Sequence, residues 1–576
     1  MGPQNQYRGN KMKKPNSALS YRLPARKLQE ILKAIWGHIG SPLALTLQRA
    51  DTIDECLQLL RVWNSDPNSY SSPASYFFDA QSASLLSKGS WLRTSQGEQT
   101  ALEGFLAAER HCSIVNERLS QSRITLAESD VESILFIAQR KIASWLAPHR
   151  PFGRMDLCRF GPGASFGISG DTSTYAKLSS TGELTAPLLE FLPGILQEFP
   201  GLGKDYRVVQ GSRITFVPKN YKTDRTIGIE PSINGFLQLG LGTHLKEILL
   251  FQGCNLYDQS RNQRLAQLAL TEDLTTLDLK SASDCLAYNA VASLLPTNWF
   301  QALDLVRSPA YTLDGGKTFT PFAKFSAMGN GYTFELESMI FYAIALSACA
   351  YLDLETRFVS VYGDDIIIPS EAMGVVIRVL SYLGFQTNTE KTFTRGSRFF
   401  ESCGRDFFDE QLVRPVYLTN FEWTVNDVYQ LFNKWHEISS HLVRLSGDLS
   451  YGVTTTIDDK IIHAVPSILR IFGPKSEGRE RAYFHDESRA KWSTKIKGAF
   501  PVVRGVTEVT PFRKPSYDDL AWYYTQLAPS KPSSASKQVI AWMRLFPDDI
   551  SGYSLRAAHG KRSNIRRQFS YLPLYT

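Results

Sequence analysis

Acids that could hold a metal and cations that could hold a phosphate recur through the middle of this 576-residue chain. Val359-Ser360-Val361-Tyr362-Gly363-Asp364-Asp365-Ile366-Ile367-Ile368 sets β-branched runs on both sides of Gly-Asp-Asp, the pattern of a hairpin with acids at its tip. Gly363 would allow a positive φ in that turn. Adjacent carboxylates repel, so a rigid hairpin carrying two of them calls for a cation. Hard oxygen ligands suit Mg²⁺, or Mn²⁺, rather than zinc. A solvated turn accounts equally well for the Asp pair by itself. The surrounding motifs have to decide.

Asp278 stands between Leu277 and Leu279, as an acid does on a strand when it points away from the core. Asp284 has a plain structural explanation, since Ser283 or Asp284 would cap or begin a helix read over Cys285 to Leu295. Lys219, Lys222 and Arg225 recur at three-residue intervals after the β-like run Ile214 to Val217. They could clamp a triphosphate or simply decorate a surface loop. In Phe325 to Thr333, Gly329 and Gly331 would let the backbone approach a ligand, with Asn330 presenting an amide between them. Glu335 and Glu337 suit the first turn of a helix starting near Thr333. Lys391 follows an amphipathic helix read over Glu371 to Leu383. The turn Cys158 to Ser165 lacks the spacing of a phosphate-binding loop, and no nucleotide role is read from it. A strand acid and a hairpin pair on adjacent antiparallel strands could hold two Mg²⁺ ions ~3.5–4 Å apart, which is a nucleotidyl-transfer site.

The elements that must position these groups are α+β. Helical spacing runs from Leu28 to Trp63, from Glu98 to Leu119 and from Glu128 to Trp145, while Asn64 to Ser87 reads as a loop rich in Ser and Pro. Arg398 to Gly404 reads as a strand and turn, and the chain beyond residue 425 as mostly helical. An apolar fraction of 43% excludes global disorder, and a net charge of +7 is compatible with a polyanionic partner without demanding one. Basic stretches lie at both ends, Arg8 to Lys27 and Lys561 to Arg567; they read either as RNA-binding tails or as solvated ones. Seven dispersed cysteines without a CxxC argue against a zinc site or a disulfide framework and for a reducing compartment. The most apolar helix candidate, Ser338 to Leu352, falls short of the ~20 residues that span a bilayer. The expectation is a cytoplasmic protein without a membrane anchor.

At this point the motifs resemble those of viral RNA-dependent RNA polymerases. Tyr362-Gly363-Asp364-Asp365 resembles motif C, Asp278 with Asp284 motif A, Ser326 to Asn330 motif B, Lys391 motif D and Lys219 to Arg225 motif F. Asp278-Leu-Lys-Ser-Ala-Ser-Asp284, the run from Ser326 through Glu337, and Phe400-Glu-Ser-Cys-Gly404 are similar to replicase β subunits of the single-stranded RNA bacteriophages, the leviviruses of the Qβ type. The likeness is strongest over residues 214 to 410. It implies a right-hand fold: an N-terminal region and fingers over 1–265, including the basic loop 217–225; a palm with motifs A to E over 266–420, with 310–325 a connection to the fingers; and a mostly helical thumb with a basic tail over 421–576. It implies that Asp278, Asp364, Asp365 and the carbonyl of Leu279 hold two Mg²⁺. Lys219, Lys222, Arg225, Asp284, Ser326 and Asn330 would bind the ribonucleoside triphosphate, and Lys391 would protonate the leaving pyrophosphate. Asp284 and Asn330 would sense the ribose 2′-OH, a hydroxyl that both donates and accepts. Motif B opens Ser-Ala here, where Ser-Gly is common in other viral polymerases.

The implied partners are an RNA template and product, host elongation factors Tu and Ts, and the largest small-subunit ribosomal protein, in the cytoplasm of an infected bacterium. Two other readings remain at this stage. A reverse transcriptase shares the palm chemistry, but it usually places a bulky aromatic near the position of Asp284. A non-catalytic RNA-binding scaffold would not need all three metal acids.

Overall fold

Leu and Ile recurring at helical spacing build the N-terminal part. The computed structural model describes residues 23–509 and 564–566, apart from 64–65, 93–94, 122–128, 203–204, 420, 422–423, 474–483, 490–491, 498–499 and 504–506. The basic residues Arg8 to Arg22, Lys561, Arg562 and Arg567 lie outside the described residues. Helices α1 (Ala25–Ile39), α2 (Pro42–Arg49) and α3 (Ile53–Val62) bury one face each. The stretch read as a loop over Asn64 to Ser87 contains a fourth helix, α4 (Pro73–Ser87). Ser72 and Ser75 form a reciprocal capping box and Pro73 takes the first turn, so the residues that suggested a loop start a helix. Ala80, Ser82, Ala83 and Ser84 are buried, small enough to let α4 pack on several sides. Two longer helices follow, α5 (Ser95–Ser120) and α6 (Ser129–Leu146).

Among the described residues, twelve strands lead up to and through the site. β1 (Gly182–Thr185) and β2 (Tyr206–Val209) form a parallel pair. β3 (Ser212–Pro218), β4 (Asp224–Ile229), β6 (Ala310–Thr312) and β7 (Thr320–Pro321) form a sheet in the order β4-β3-β6-β7. β5 (Leu274–Leu277), β8 (Ser360–Tyr362) and β9 (Asp365–Pro369) form an antiparallel sheet in the order β5-β9-β8. β10 (Phe399–Ser402), β11 (Arg405–Phe408) and β12 (Gln411–Leu412) form a third meander.

The helix Thr333–Tyr351 packs behind the β5-β9-β8 sheet and is 78% buried. At 19 residues it is longer than the span read from Ser338 to Leu352, and it is long and apolar enough to cross a membrane by length and composition alone. Burial on all sides is the reason for that composition in a core helix.

Two large cores draw on segments distant in the chain. One joins α5 and α6 to the helices Ser232–Phe251 and Thr333–Tyr351 and to the strand residues Leu277, Val361 and Ile366. The other joins α1 to α4 with Phe399, Phe408 and the helices Val425–Ser446 and Thr455–His463. Residues 1–265 are therefore not one packed unit, because apolar faces of the first helices find their partners late in the chain. Over 421–576 the described residues are helical to His463 and then form short strand pairs such as Trp492–Lys497 with Phe500–Val503.

Candidate active site

Strand register brings the acids together. Leu277 pairs with Ile366, so Asp278 continues past β5 at the end where β9 begins with Asp365. Tyr362 pairs with Asp365, leaving Gly363 and Asp364 as the two central residues of the hairpin turn. Gly363 has φ +62° and its amide donates to Ser338 Oγ at 3.0 Å. A Cβ at 363 would lie 2.5 Å from Phe334 Cε2. Gly363→Ala is expected to lower stability by ~1–2 kcal/mol from the left-handed conformation alone, with a further loss as Phe334 is displaced. A thermal melt at the native midpoint would contradict this.

On the other side of β5 the segment 386–393 runs antiparallel, with bridges Thr276 to Phe393 and Leu279 to Thr387. Asn388 N–H donates to Asp278 O at 2.9 Å and Lys280 N–H to Gln386 O at 2.8 Å. By strand alternation the carbonyl of Leu279 projects to the opposite edge, and among the described residues it accepts no backbone hydrogen bond. Asn388 Nδ2 also donates to Asp278 Oδ2 at 2.7 Å. Asp365 Oδ1 accepts from Cys403 N–H at 3.1 Å and Ser402 Oγ at 3.2 Å.

Burial pushes Asp278 up to about 6, with Asp364 and Glu401 adding to it against Lys391 and Asn388. Burial likewise pushes Asp365 up to about 6, with Asp364 adding to it against the Cys403 and Ser402 hydrogen bonds. These carboxylates carry more negative charge than their surroundings compensate, and a divalent cation would supply the difference. Among the described residues no three His, Cys, Asp or Glu side chains converge as a closed metal cage. Mg²⁺ does not require one, since it is commonly held by one or two carboxylates, water and substrate phosphate. The all-oxygen set of Asp278, Asp364, Asp365 and the free Leu279 carbonyl could hold such an ion.

Cations face this group. Lys219 follows β3; burial lowers its pKa, and Arg225 and Lys391 lower it further against the pull of Asp278 and Asp364. Arg225 is exposed on β4 opposite Val217. Lys222 lies 5.5 Å from the ring of Tyr221, and no contact joins it to the acids. Lys391 Nζ pairs with Glu401 Oε1 at 3.2 Å. Burial disfavours its charge, but Glu401 and Asp278 outweigh that and raise its pKa. A lysine so placed stays protonated.

Asp284 does not cap a helix. Ser281 takes φ +49° and turns the chain into a short 3₁₀ segment, Ala282–Asp284, and the helix begins only at Tyr288. Asn330 is 8% exposed and its Oδ1 accepts from Tyr332 N–H at 3.0 Å. Its Nδ2 is buried and makes no hydrogen bond of good geometry among the described residues, though it lies close enough to the Tyr332 hydroxyl, which donates to Leu303 O at 2.9 Å, to lower the pKa of that group. Ser326 is buried too, its Oγ accepting from Thr333 Oγ1 at 2.8 Å, so it holds the start of the Thr333–Tyr351 helix. Gly329 has φ +112°, and a Cβ there would meet Gly228 O at 2.3 Å, so the loop carrying Asn330 lies directly on β4.

Asn388, Glu401, Ser402, Glu337, Lys324 and Glu109 also stand at or behind the site, and residue type and spacing alone single out none of them for chemistry. Glu401 and Ser402 lie in the Phe-Glu-Ser-Cys-Gly turn, which was a usable signal. Glu337 is 6% exposed and pushed well above the ordinary carboxylate range by burial, Asp364, Glu335 and Asp284. The helix starts at Thr333, so Glu335 lies in its first turn as expected but Glu337 does not, and packing places Glu337 beneath the acid hairpin instead.

The arrangement places this chain among α+β proteins that gather acids and facing cations at one end of an antiparallel sheet. The chain belongs to the RNA replicase, beta-chain family, whose model matches residues 49–441. It is 40% identical to the RNA-directed RNA polymerase subunit beta of Enterobacteria phage SP, over 56% of this chain and 57% of that one. With the subunit beta of Escherichia virus Qbeta the identity is 40%, over 56% and 55% of the two chains. With the RNA-directed RNA polymerase beta chain of Enterobacteria phage GA it is 35%, over 66% and 73%. The chain thus spans a little over half the length of the first two relatives. A solved structure of the BmCPV RNA-dependent RNA polymerase at elongation state overlaps with a TM-score of 0.35 at 10% identity, over 57% of this chain and 33% of that one. At that level the overlap says nothing further about this site.

Proposed function

We propose that this chain is an RNA-dependent RNA polymerase, the catalytic subunit of a phage replicase, working by two-metal nucleotidyl transfer. The observation that carries the reading is the register of β5, β9 and β8, which sets Asp278 beside Asp365 with Asp364 at the turn and Lys219 and Lys391 facing them. Family membership supports it independently. In this reading the β5-β9-β8 sheet is the palm and the β3-β4 hairpin belongs to the fingers.

Asp278, Asp364, Asp365 and the Leu279 carbonyl would hold two Mg²⁺, with Mn²⁺ an alternative. Bound there, the ions would lower the pKa of the attacking 3′-hydroxyl and neutralise the pyrophosphate oxygens. Lys219 and Arg225 draw the triphosphate in, with Lys222 at the mouth of the same hairpin. The 3′-oxygen bonds to the α-phosphorus as the bond to pyrophosphate breaks, and Lys391 gives its proton to the leaving group. Asp284 and the Asn330 amide nitrogen accept and donate to the ribose 2′-OH, while Ser326 orders the loop that carries Asn330. A deoxy substrate would leave both unpaired. Host elongation factors Tu and Ts and the largest small-subunit ribosomal protein are the proposed partners, in the cytoplasm of the infected bacterium.

The test is incorporation of labelled GTP, with the other ribonucleotides, on a C-ended RNA in Mg²⁺. The chain is assayed alone and then with factors Tu and Ts. Activity only with the factors supports the holoenzyme reading, and activity without them makes the partners auxiliary. Silence in both, from folded protein on intact template, would refute the catalytic reading. Incorporation of dATP as efficient as that of ATP would refute the ribose assignment.

A further inference from the structure

Asp284 is held from two sides. Its Oδ1 accepts from Lys324 Nζ at 2.7 Å, and that lysine side chain is 0% exposed. The second acid on the ammonium is Glu109 of α5, with Oε1 at 3.2 Å in an ion pair that lacks hydrogen-bond geometry. Glu109 Oε2 accepts from Ala323 N–H at 2.7 Å, fixing the residue before the lysine. The Phe105 ring, also on α5, lies 4.1 Å from Nζ. Cys112 Sγ donates to the Asp284 carbonyl at 3.4 Å, and Asn116 Nδ2 to Ala323 O at 2.6 Å. Asp284 Oδ2 has no partner among the described residues.

A buried ammonium shared by two acids is a costly way to stabilise a protein, since an apolar replacement of similar volume is often as good. What it does well is fix direction. With Oδ1 pinned by a cation that cannot swing into water, Oδ2 is presented at one orientation, before any substrate arrives. We propose that Lys324 and Glu109 are positioning residues that aim Asp284 at the ribose 2′-OH, making α5 a determinant of sugar specificity. The inference rests on the reading of Asp284 as a 2′-OH contact.

Freeing Asp284 would weaken a hydrogen bond that only a ribonucleotide makes, so loss of the brace should lower kcat/KM for GTP and leave that for dGTP nearly unchanged. A role in packing alone would lower both equally. The experiment measures kcat/KM for GTP and dGTP on the C-ended template, using the full chain with factors Tu and Ts. The variants are D284A, E109Q, K324M and the double variant E109Q/K324M. Glu109→Gln keeps an oxygen for Ala323 N–H while removing the charge, and the double variant removes the pair together, so both keep the question open should Lys324→Met alone fail to fold.

The GTP/dGTP ratio is expected to fall about tenfold or more in D284A and in the double variant, and by a smaller factor in E109Q. If D284A collapses the ratio while E109Q and E109Q/K324M leave it at the native value, the brace is refuted and the ribose contact stands. An equal fall for both nucleotides in the brace variants also refutes it. If D284A itself leaves the ratio unchanged, the 2′-OH assignment fails, and the brace with it.

Discussion

Asp364→Asn is expected to lower nucleotide incorporation by about 10³-fold or more, the loss of roughly 4 kcal/mol of transition-state stabilisation, without unfolding the protein. Asp364 sits half-exposed at the hairpin turn and forms no hydrogen bond or ion pair with the rest of the described residues. Its charge works against its neighbours, raising the pKa of Asp278, Asp365 and Glu337. The isosteric amide removes that repulsion, so the melting temperature should stay at or above the native value. Steady-state incorporation and a thermal melt on the same preparation decide the matter. Near-native synthesis would remove Asp364 from the metal site, while a large drop in melting temperature would make the activity loss uninformative. Asp365→Asn is a less clean probe, because Asp365 Oδ1 also accepts from Cys403 and Ser402, and an amide nitrogen there would face a donor.

The second large effect lies far from the chemistry. Trp435→Ala should destabilise the chain by about 3–5 kcal/mol. Trp435 is 0% exposed in the helix Val425–Ser446 and packs edge-on against His38 of α1, with ring centroids 5.1 Å apart. The indole fills the seam between the N-terminal helices and the C-terminal segment, and alanine would leave a cavity that rigid helices cannot close. Its Nε1 has no hydrogen-bond acceptor, so Trp435→Phe should cost much less. Denaturant unfolding gives the magnitude, and hydrogen exchange in α1 gives the location. If exchange in α1 were unchanged by Trp435→Ala, the two ends of the chain would not share a core.

Much of the site could be read from the chain because its spacing is local. The β-branched runs around Gly-Asp-Asp specify a hairpin, and the turn residues specify which side chains stand at its tip. Leu-Asp-Leu specifies a strand with an acid on the outward face, and the structure ends β5 just before that acid. Elsewhere a local preference is compatible with two outcomes. Ser72 and Pro73 suit a loop or a helix start, and burial of the Ala and Ser face of α4 selected the helix. Ser283 and Asp284 suit a cap, but Asp284 ends a 3₁₀ turn and pairs with the buried Lys324 instead.

By itself, then, the sequence determined the hairpin, the nature of its acids, the cations available to them and the family to which those motifs belong. All of these follow from residue type and short-range spacing. Tertiary structure alone decided which distant residues meet. It placed Asn388 on Asp278, Glu401 on Lys391 and Glu109 on the lysine behind Asp284. It also joined α1 to the helix carrying Trp435. Such pairings depend on how apolar faces bury against one another, and one helix face can satisfy its burial against many partners. Only the packed chain selects among them.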